Sequence, residues 1–290
     1  MAELHPSVQR LLRMLSAGRD AGAGDVAGRR NGLETLAKMA GGSSCVVANV
    51  EDRRLNDDVG MRVYTPDGAQ GVMLYIHGGG WVAGSLDTHD GVCRRLALSS
   101  KRKVVALDYR RAPEHPFPAA LDDAWAALNL LATEGPVAVA GDSAGGAIAA
   151  ALCLKARDAG GLMIDRLLLI CPILDLAGET ESRTAFATGY FIERAAFEAD
   201  VAAWCPDLGL RADELVSPLR AKSLAGLAPV DIHTAEFDPF RDEGEAFAAR
   251  LSDAGVLVRL TRHDGMIHYF YALPDLLPYA DKALHAMAEL

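Results

Sequence analysis

A serine between an apolar strand and a helix is the residue of this chain best placed for nucleophilic chemistry. Ser143 lies in the segment GDSAGG (141–146), directly after the apolar run VAVA and before a run of small residues with helical character. A strand that turns sharply into a helix holds the intervening residue in a strained backbone region, and small neighbours let other backbone pass close to it. A serine hydroxyl is a weak nucleophile unless a base takes its proton and a third group orients that base. The motif therefore predicts a histidine and an acid elsewhere in the chain.

Four histidines follow the serine, and their surroundings distinguish them. His268 comes after the strand-like run VLVRLT, in a predicted loop from which a side chain can reach over the carboxyl edge of a sheet. His233 falls inside a buried strand pattern and His285 in the last amphipathic helix, which favours structural roles for both. His263, at the predicted end of the strand, is the weaker alternative. We therefore predict that His268 is the base.

The acid is expected before this histidine, at the end of another strand. Asp238 follows the strand-like run VDIHTAEF, and Pro239 cannot continue the hydrogen-bond ladder, so the aspartate is predicted to lie in a strand-end loop. Asp242 and Glu243 come after the turn, where acidic residues suit the first turn of a helix. We therefore predict that Asp238 orients the histidine.

Three consecutive glycines after His77 suggest a group of backbone N–H donors. Attack on an acyl carbonyl develops negative charge on its oxygen, and each fixed donor aimed at that oxygen lowers the barrier by roughly 3–4 kcal/mol. The residue after the nucleophile supplies a further amide in such sites. We predict Gly78, Gly79 and Ala144 as the donors, with Gly80 as an additional candidate and His77 as a structural brace.

The elements that position these residues follow an alternating pattern. From residue 45 onward, strand-like and helical patterns succeed one another, which is typical of an α/β fold with a mostly parallel sheet flanked by helices. The strand-like runs are CVVANV (45–50), MRVYT (61–65), VMLYI (72–76), VVALDY (104–109), VAVAG (137–141), RLLLI (166–170), VDIHTAEF (230–237) and VLVRLT (256–261), and the helical ones cover 88–100, a stretch starting near 118, 144–158, 241–253 and 275–289.

Two stretches fall outside this alternation. Residues 1–44 are rich in Ala, Gly and Arg and form an appendage, and residues 176–216 interrupt the pattern with polar helical spacing and large side chains. We therefore divide the chain into an N-terminal segment (1–44), a first core part (45–175), an insertion (176–216) and a second core part (217–290). Aromatic residues that could line a pocket are Trp81, beside the glycine turn, and Phe186, Tyr190, Phe191 and Trp204 of the insertion.

Composition excludes several classes of partner. The chain has 290 residues and a formal net charge of −10, which disfavours nucleic acid and anionic membranes as partners. Five scattered cysteines without a C-x-x-C pair argue against a disulfide framework or a zinc ribbon. No signal-peptide pattern and no apolar run long enough for a membrane span occur. We expect a cytoplasmic protein without stable membrane insertion, and the oligomeric state, a homodimer included, stays open.

Five motifs together resemble one known family. HGGGW, YRRAPEHPFPAALDDAWAAL, GDSAGG, DPFRDEG and GMIHYF occur in this order between residues 77 and 270 and are similar to the bacterial branch of the hormone-sensitive lipase family of carboxylesterases. The resemblance implies an α/β-hydrolase core and a helical cap built from the N-terminal segment and the insertion. It also implies a catalytic triad of Ser143, Asp238 and His268.

The leading hypothesis is a serine carboxylesterase that hydrolyses small-molecule esters of short to medium acyl chain through an acyl-enzyme. A deacetylase, lactonase or amidase with the same triad is the alternative, and a hydrolase-like binding protein is a third reading that retention of both serine and histidine disfavours. A metal hydrolase is disfavoured because His263, Asp264 and His268 lack the spacing of a two-histidine helix face. We therefore expect neither a metal nor an organic cofactor.

Overall fold

The computed structural model describes residues 3–17, 25–42 and 45–289 of the chain. Within these residues, eight strands form one sheet in which the order differs from the order along the chain. The strands are β1 (Asn49–Arg54), β2 (Gly60–Thr65), β3 (Val72–Ile76), β4 (Lys103–Asp108), β5 (Val137–Asp142), β6 (Ile164–Ile170), β7 (Val230–Phe237) and β8 (Val258–Ile267). Across the sheet they follow the order β1-β2-β4-β3-β5-β6-β7-β8.

The direction of the strands brings the predicted site residues to one edge. Strand β2 is antiparallel to both of its neighbours, and the other pairs are parallel. Parallel strands end at the same edge of a sheet, and ligands bind outside these carboxyl ends in α/β folds. Ser143 directly follows β5, Asp238 follows β7 and His268 follows β8. The predicted α/β fold with a mostly parallel sheet is confirmed.

Helices cover both faces of the sheet because the central strands are apolar on both faces. Alternate residues of β3 enter two separate cores, Leu74 and Ile76 on one face and Met73 and Tyr75 on the other. Every residue of β3 and β5 is buried, as expected for parallel strands covered on both faces. The helices are α1 (Pro6–Ala17), α2 (Val26–Ala40), α3 (Asp90–Ser100), α4 (Ala119–Leu131), α5 (Ser143–Ala159), α6 (Glu181–Ala185), α7 (Arg194–Trp204), α8 (Arg241–Asp253) and α9 (Tyr279–Ala288).

None of the helices in the described ranges combines the length and the apolar character that a bilayer span requires. The longest of them, α5, has 17 residues and packs against the sheet through small side chains.

Three elements have a bound that differs from the sequence expectation by four residues or more. Strand β1 begins at Asn49 rather than at residue 45, because its charged residues gain ladder hydrogen bonds to β2 at an exposed edge where apolar patterning is weak. Strand β8 continues beyond Thr261 to Ile267, so His263 lies inside the strand and not at its end. Helix α9 begins at Tyr279, after a turn that the helical spacing did not predict.

The two stretches outside the alternation both contribute helices above the carboxyl edge. Residues of α1, α2 and α7 line a common cavity with Ser143. An ion pair connects two of these helices, with Arg29 Nη2 of α2 lying 2.7 Å from Asp200 Oδ1 of α7. A further side chain of α2 reaches the core, where Arg30 Nε donates to the carbonyl of Val82 at 2.7 Å. We call α1, α2, α6 and α7 the cap helices.

Candidate active site

The turn from β5 to α5 holds Ser143 in the left-handed backbone region, at a φ of +52°. This conformation is strained for a residue with a side chain, and it is tolerated where the surroundings determine it. The surroundings here are close backbone contacts. A Cβ at Gly145 would overlap the carbonyl oxygen of Ile76, and one at Gly141 would overlap that of Gly145. The small residues of GDSAGG are therefore required by the approach of β3 and α5 to the turn.

The structure brings Ser143, His268 and Asp238 together in a hydrogen-bonded line. His268 Nε2 lies 2.9 Å from Ser143 Oγ, and His268 Nδ1 lies 2.7 Å from Asp238 Oδ2. The other carboxylate oxygen, Asp238 Oδ1, accepts the N–H of Phe240 at 2.8 Å, which holds the carboxylate in place. All three side chains are buried. The geometry suits a base that accepts the serine proton while a carboxylate orients its ring.

Cys171 is a neighbour of this line that the sequence analysis did not single out. Its Sγ, a carboxylate oxygen of Asp238 and a ring nitrogen of His268 all lie within 4.8 Å of one another, a grouping that could hold a metal ion. Burial, together with the adjacent Asp238 carboxylate, raises the pKa of the Cys171 thiol well above its ordinary value. The cysteine therefore lies beside the line as a neutral thiol, whereas metal coordination would require the thiolate.

The glycine loop differs in one residue from the predicted set of donors. Gly78 does not offer its amide to the cavity, because its N–H donates to Asp142 Oδ1 at 2.9 Å. Gly79 and Gly80 line the cavity beside Ser143, and within the described part of the chain neither N–H donates to a protein acceptor. Both have positive φ, +120° and +61°, which favours glycine. The prediction of Gly78 was wrong, and the additional candidate Gly80 takes its place.

Ala144 is the third predicted donor, and it lies in the first turn of α5. The first four N–H groups of a helix have no acceptor within the helix, so this amide is available to a ligand. The helix dipole adds partial positive charge at the same end. The amides of Gly79, Gly80 and Ala144 form the candidate oxyanion hole.

Asp142 anchors the glycine loop from a fully buried position. Its Oδ1 accepts hydrogen bonds from the Gly78 N–H and, at 2.6 Å, from the Tyr75 hydroxyl. Its Oδ2 accepts one from the Tyr271 hydroxyl at 2.7 Å and lies 3.3 Å from His89 Nε2. Burial alone would raise the pKa of this carboxyl, but His89 and the tyrosine hydroxyls outweigh burial and lower the pKa to about 2. The sequence analysis did not predict that Asp142 anchors the glycine loop. The available signal was its position directly before the nucleophile Ser143.

The lowered pKa of Asp142 makes stability depend on acid pH. The folded-state pKa of about 2 lies below the ordinary 3.8, so the ionised group contributes stability that is complete above about pH 4 and is lost as pH falls through 2. Between pH 6 and pH 3, we expect the unfolding free energy of the unmodified protein to fall by about 1 kcal/mol more than that of Asp142→Asn. Urea denaturation at both pH values measures this. A constant difference between the two proteins would contradict the assignment.

Two of the aromatic residues predicted to line the pocket are instead buried against each other. Trp81 and Trp204 stack with ring centroids 4.3 Å apart and an interplanar angle of 6°. Neither indole lines the cavity that contains Ser143. Large aromatic rings gain more from mutual burial than from a position at a solvent-filled cavity. The stack packs the glycine loop against α7, so the prediction of a pocket role for both residues was wrong.

The three remaining aromatic candidates also differ in whether they line the cavity. Phe191 lines the cavity and stacks on Tyr269, with centroids 5.6 Å apart. Phe186 and Tyr190 pack against Phe237 at 5.6 and 5.9 Å and do not line the cavity. A single sequence does not indicate which face of the insertion points toward the serine, and Phe191 alone of the five predicted aromatics lies there.

The cavity has a volume of about 700 Å³ and is mostly apolar. The N-terminal helices supply much of its surface, which the sequence analysis did not assign to individual residues. Charged side chains at the cavity come from Arg29, Glu193 and Asp200. Its apolar lining comprises Met14, Leu15, Leu33, Leu36, Met39, Ala83, Ile173, Phe191, Ile192, Ala196, Phe197, Phe240 and Tyr269.

A serine, histidine and aspartate beside a glycine loop are found in many hydrolases, and comparison with known proteins narrows the class. A family described as the alpha/beta hydrolase fold matches residues 73–272. The chain belongs to this hormone-sensitive-lipase-like family of α/β hydrolases. This α/β hydrolase is 38% identical over 240 residues to carboxylesterase NlhH of Mycobacterium tuberculosis, across 78% of this chain and 75% of the relative.

Other relatives match over nearly the whole α/β hydrolase. The ethyl acetate hydrolase of Pseudomonas putida is 32% identical, with 99% of this chain and 98% of the relative covered. Among solved structures, the ester-hydrolase EH1AB1 from the metagenome of Lake Arreo has a TM-score of 0.93 and 37% identity, covering 98% of this chain and 97% of that one. This α/β hydrolase is a carboxylic ester hydrolase.

Proposed function

We propose that this ester hydrolase acts through Ser143, His268 and Asp238 by way of an acyl-enzyme. Ser143 Oγ attacks the ester carbonyl carbon as its proton passes to His268 Nε2, and Asp238 stabilises the resulting imidazolium through Nδ1–H. The carbonyl π electrons move to the oxygen, giving a tetrahedral oxyanion. The observation that carries this assignment is the 2.9 Å separation of His268 Nε2 from Ser143 Oγ, with Nδ1 bound to Asp238.

The oxyanion is held by the amides of Gly79, Gly80 and Ala144. When it collapses, the bond to the alcohol oxygen breaks and His268 returns the proton to that oxygen, which leaves as an alcohol. A water molecule then loses its proton to His268 as it attacks the acyl carbon. The second tetrahedral intermediate releases the carboxylic acid and restores the Ser143 hydroxyl.

Short to medium acyl chains are the substrates that the cavity favours. Helices α1, α2 and α7 line a mostly apolar cavity of about 700 Å³ beside Ser143, so the space for an acyl chain is limited. Each added methylene gains at most about 0.8 kcal/mol until the end of the space is reached, after which a longer chain cannot bind productively. We therefore expect a preference for acyl groups of about four to eight carbons.

A series of p-nitrophenyl esters from acetate to palmitate tests this function. We expect kcat/KM to rise to a maximum within about four to eight carbons and to fall beyond it, because the space in the apolar cavity is limited. Ser143→Ala serves as the matched control that ties the activity to this site. Amide and lactone analogues in the same assay test the amidase and lactonase alternatives. Faster hydrolysis of emulsified long-chain triglyceride than of butyrate esters would contradict the proposed chain-length range.

A further inference from the structure

A carboxylate of the cap lies at the mostly apolar catalytic cavity. Asp200 of α7 lines the same cavity as Ser143, although the residue is only 9% exposed. Its Oδ1 forms the ion pair with Arg29 of α2. Apart from this ion pair, Oδ1 is buried without a hydrogen-bond partner among the described residues, and Oδ2 lies beside Gly80 at the cavity. The Asp200 carboxylate is therefore incompletely hydrogen-bonded by the described residues, and its Oδ2 is placed to meet a donor in the cavity.

Asp200 Oδ2 lies beside the candidate oxyanion hole. A Cβ built on Gly80 would overlap Asp200 Oδ2 and would lie 3.0 Å from Asp200 Cγ. The Gly80 amide is one of the three proposed donors to the carbonyl oxygen of the substrate. An ester held by those donors thus places the atoms next to its carbonyl close to Asp200.

A mostly buried carboxylate with incomplete hydrogen bonds is costly, so its retention at the cavity calls for a further donor. Removing a carboxylate from water is unfavourable unless hydrogen bonds replace those lost. Burial raises the pKa of Asp200 to about 7 even though Arg29 acts in the opposite direction. The ion pair with Arg29 therefore does not fully compensate for burial, and a second donor would stabilise the ionised form.

We propose that Asp200 Oδ2 accepts a hydrogen bond from a hydroxyl or protonated amine that the substrate carries within a few bonds of its ester group. This rests on the proposed function and specifies its substrate class as hydroxy- or amino-substituted esters. Asp200 is then a specificity-determining residue, separate from the groups that transfer protons. The apolar lining contacts the remainder of the acyl or alcohol chain.

A purely structural role for Asp200 makes a different prediction. If the carboxylate served only to pair with Arg29 and to join α7 to α2, its loss would affect all esters to the same extent. The ratio of kcat/KM between a substituted ester and its plain counterpart, measured within one variant, cancels such general effects. This ratio is the quantity that separates the two roles.

The experiment compares matched substrates at pH 8 by titration of the released acid. On the acyl side, ethyl 3-hydroxybutyrate and ethyl 3-aminobutyrate are each compared with ethyl butyrate. On the alcohol side, 2-hydroxyethyl butyrate is compared with propyl butyrate. The variants are Asp200→Leu and Asp200→Asn, and Glu198→Gln, an exposed acid two residues earlier on α7, is the control.

We expect Asp200→Leu to lower the ratio for at least one substituted ester by about tenfold, since it removes both acceptor oxygens. Asp200→Asn is expected to lower the ratio for the amino ester by a similar factor, because a neutral amide no longer attracts the ammonium group. Glu198→Gln should leave every ratio unchanged. If Asp200→Leu does not fold, the asparagine variant decides.

Unchanged ratios for every substrate pair in the Asp200 variants would overturn the inference and leave Asp200 as the partner of Arg29 alone. Hydrolysis of plain and substituted esters by the unmodified enzyme would show in that case that the proposed function still holds. Failure of the unmodified enzyme to hydrolyse any of these esters would instead contradict the proposed function itself.

Discussion

Replacing Ser143 with alanine is expected to lower kcat for p-nitrophenyl butyrate by at least about 10⁴-fold. The Oγ atom is the nucleophile of the proposed mechanism, and without it no acyl-enzyme can form. His268→Ala is expected to have a comparable effect, because the serine proton then has no acceptor at 2.9 Å. The double variant should be no slower than either single one, since the two residues act as one unit.

His285→Ala is the matched control for the histidine substitution. This histidine is exposed on α9, where its Nδ1 lies 3.0 Å from Ser99 Oγ, and it makes no hydrogen bond to the catalytic line. We expect the kcat of His285→Ala to equal that of the unmodified protein. Circular dichroism and thermal unfolding of each variant verify that the fold is retained. Turnover near that of the unmodified enzyme in purified Ser143→Ala would remove the nucleophile assignment.

Asp238→Asn is expected to lower kcat by about 10³- to 10⁴-fold without unfolding the protein. The carboxylate accepts the Nδ1–H of His268 at 2.7 Å and thereby keeps Nε2 free to take the serine proton. An asparagine can turn its NH₂ toward Nδ1, which favours the opposite tautomer. Steady-state kinetics on p-nitrophenyl butyrate measures the loss.

Asp242→Asn provides the comparison for this substitution. Asp242 lies in the first turn of α8 and accepts the N–H of Ser182 at 2.8 Å, so it anchors the insertion and does not contact the histidine. Its substitution is expected to change kcat by less than about threefold. Small and equal effects at Asp238 and Asp242 would place the acid elsewhere.

The positions of Ser143, Asp238 and His268 could be predicted because each lies beyond the carboxyl end of a strand in the parallel part of the sheet. Continuous apolar runs in the central strands and the glycines around the serine are local signals, and parallel strands bring their ends together without further information. The α/β fold and the family were predicted on these grounds and are confirmed. The roles of the three residues stay predictions until the substitutions are measured.

The choice among the glycines could not be predicted from the loop alone. Gly78, Gly79 and Gly80 are chemically identical, and what distinguishes them is the position of Asp142, which takes the first amide. That carboxylate is itself oriented by Tyr75 and Tyr271, residues distant in the chain. Hydrogen bonds between distant segments leave no periodic pattern, so the sequence analysis chose the wrong glycine.

The pocket aromatics were misassigned for a related reason. Hydrophobic residues in an irregular insertion all resemble pocket residues, whereas the stacking of Trp81 on Trp204 depends on how α7 lies on the glycine loop. Asp200 and Arg29, which do line the cavity, were missed because charged residues on helices are usually solvent-exposed. The positions of these tryptophan and charged side chains depend on how the cap helices pack on the sheet.

The tryptophan stack also gives this enzyme an intrinsic optical reporter. Two of the three tryptophans in the chain lie face to face, one on the glycine loop and one at the end of α7. Parallel indoles at this separation couple their electronic transitions, so their near-ultraviolet dichroism and fluorescence depend on their mutual distance and angle. Spectra of the unlabelled protein therefore report, during a catalytic cycle, whether α7 stays packed against the glycine loop whose backbone amides hold the oxyanion.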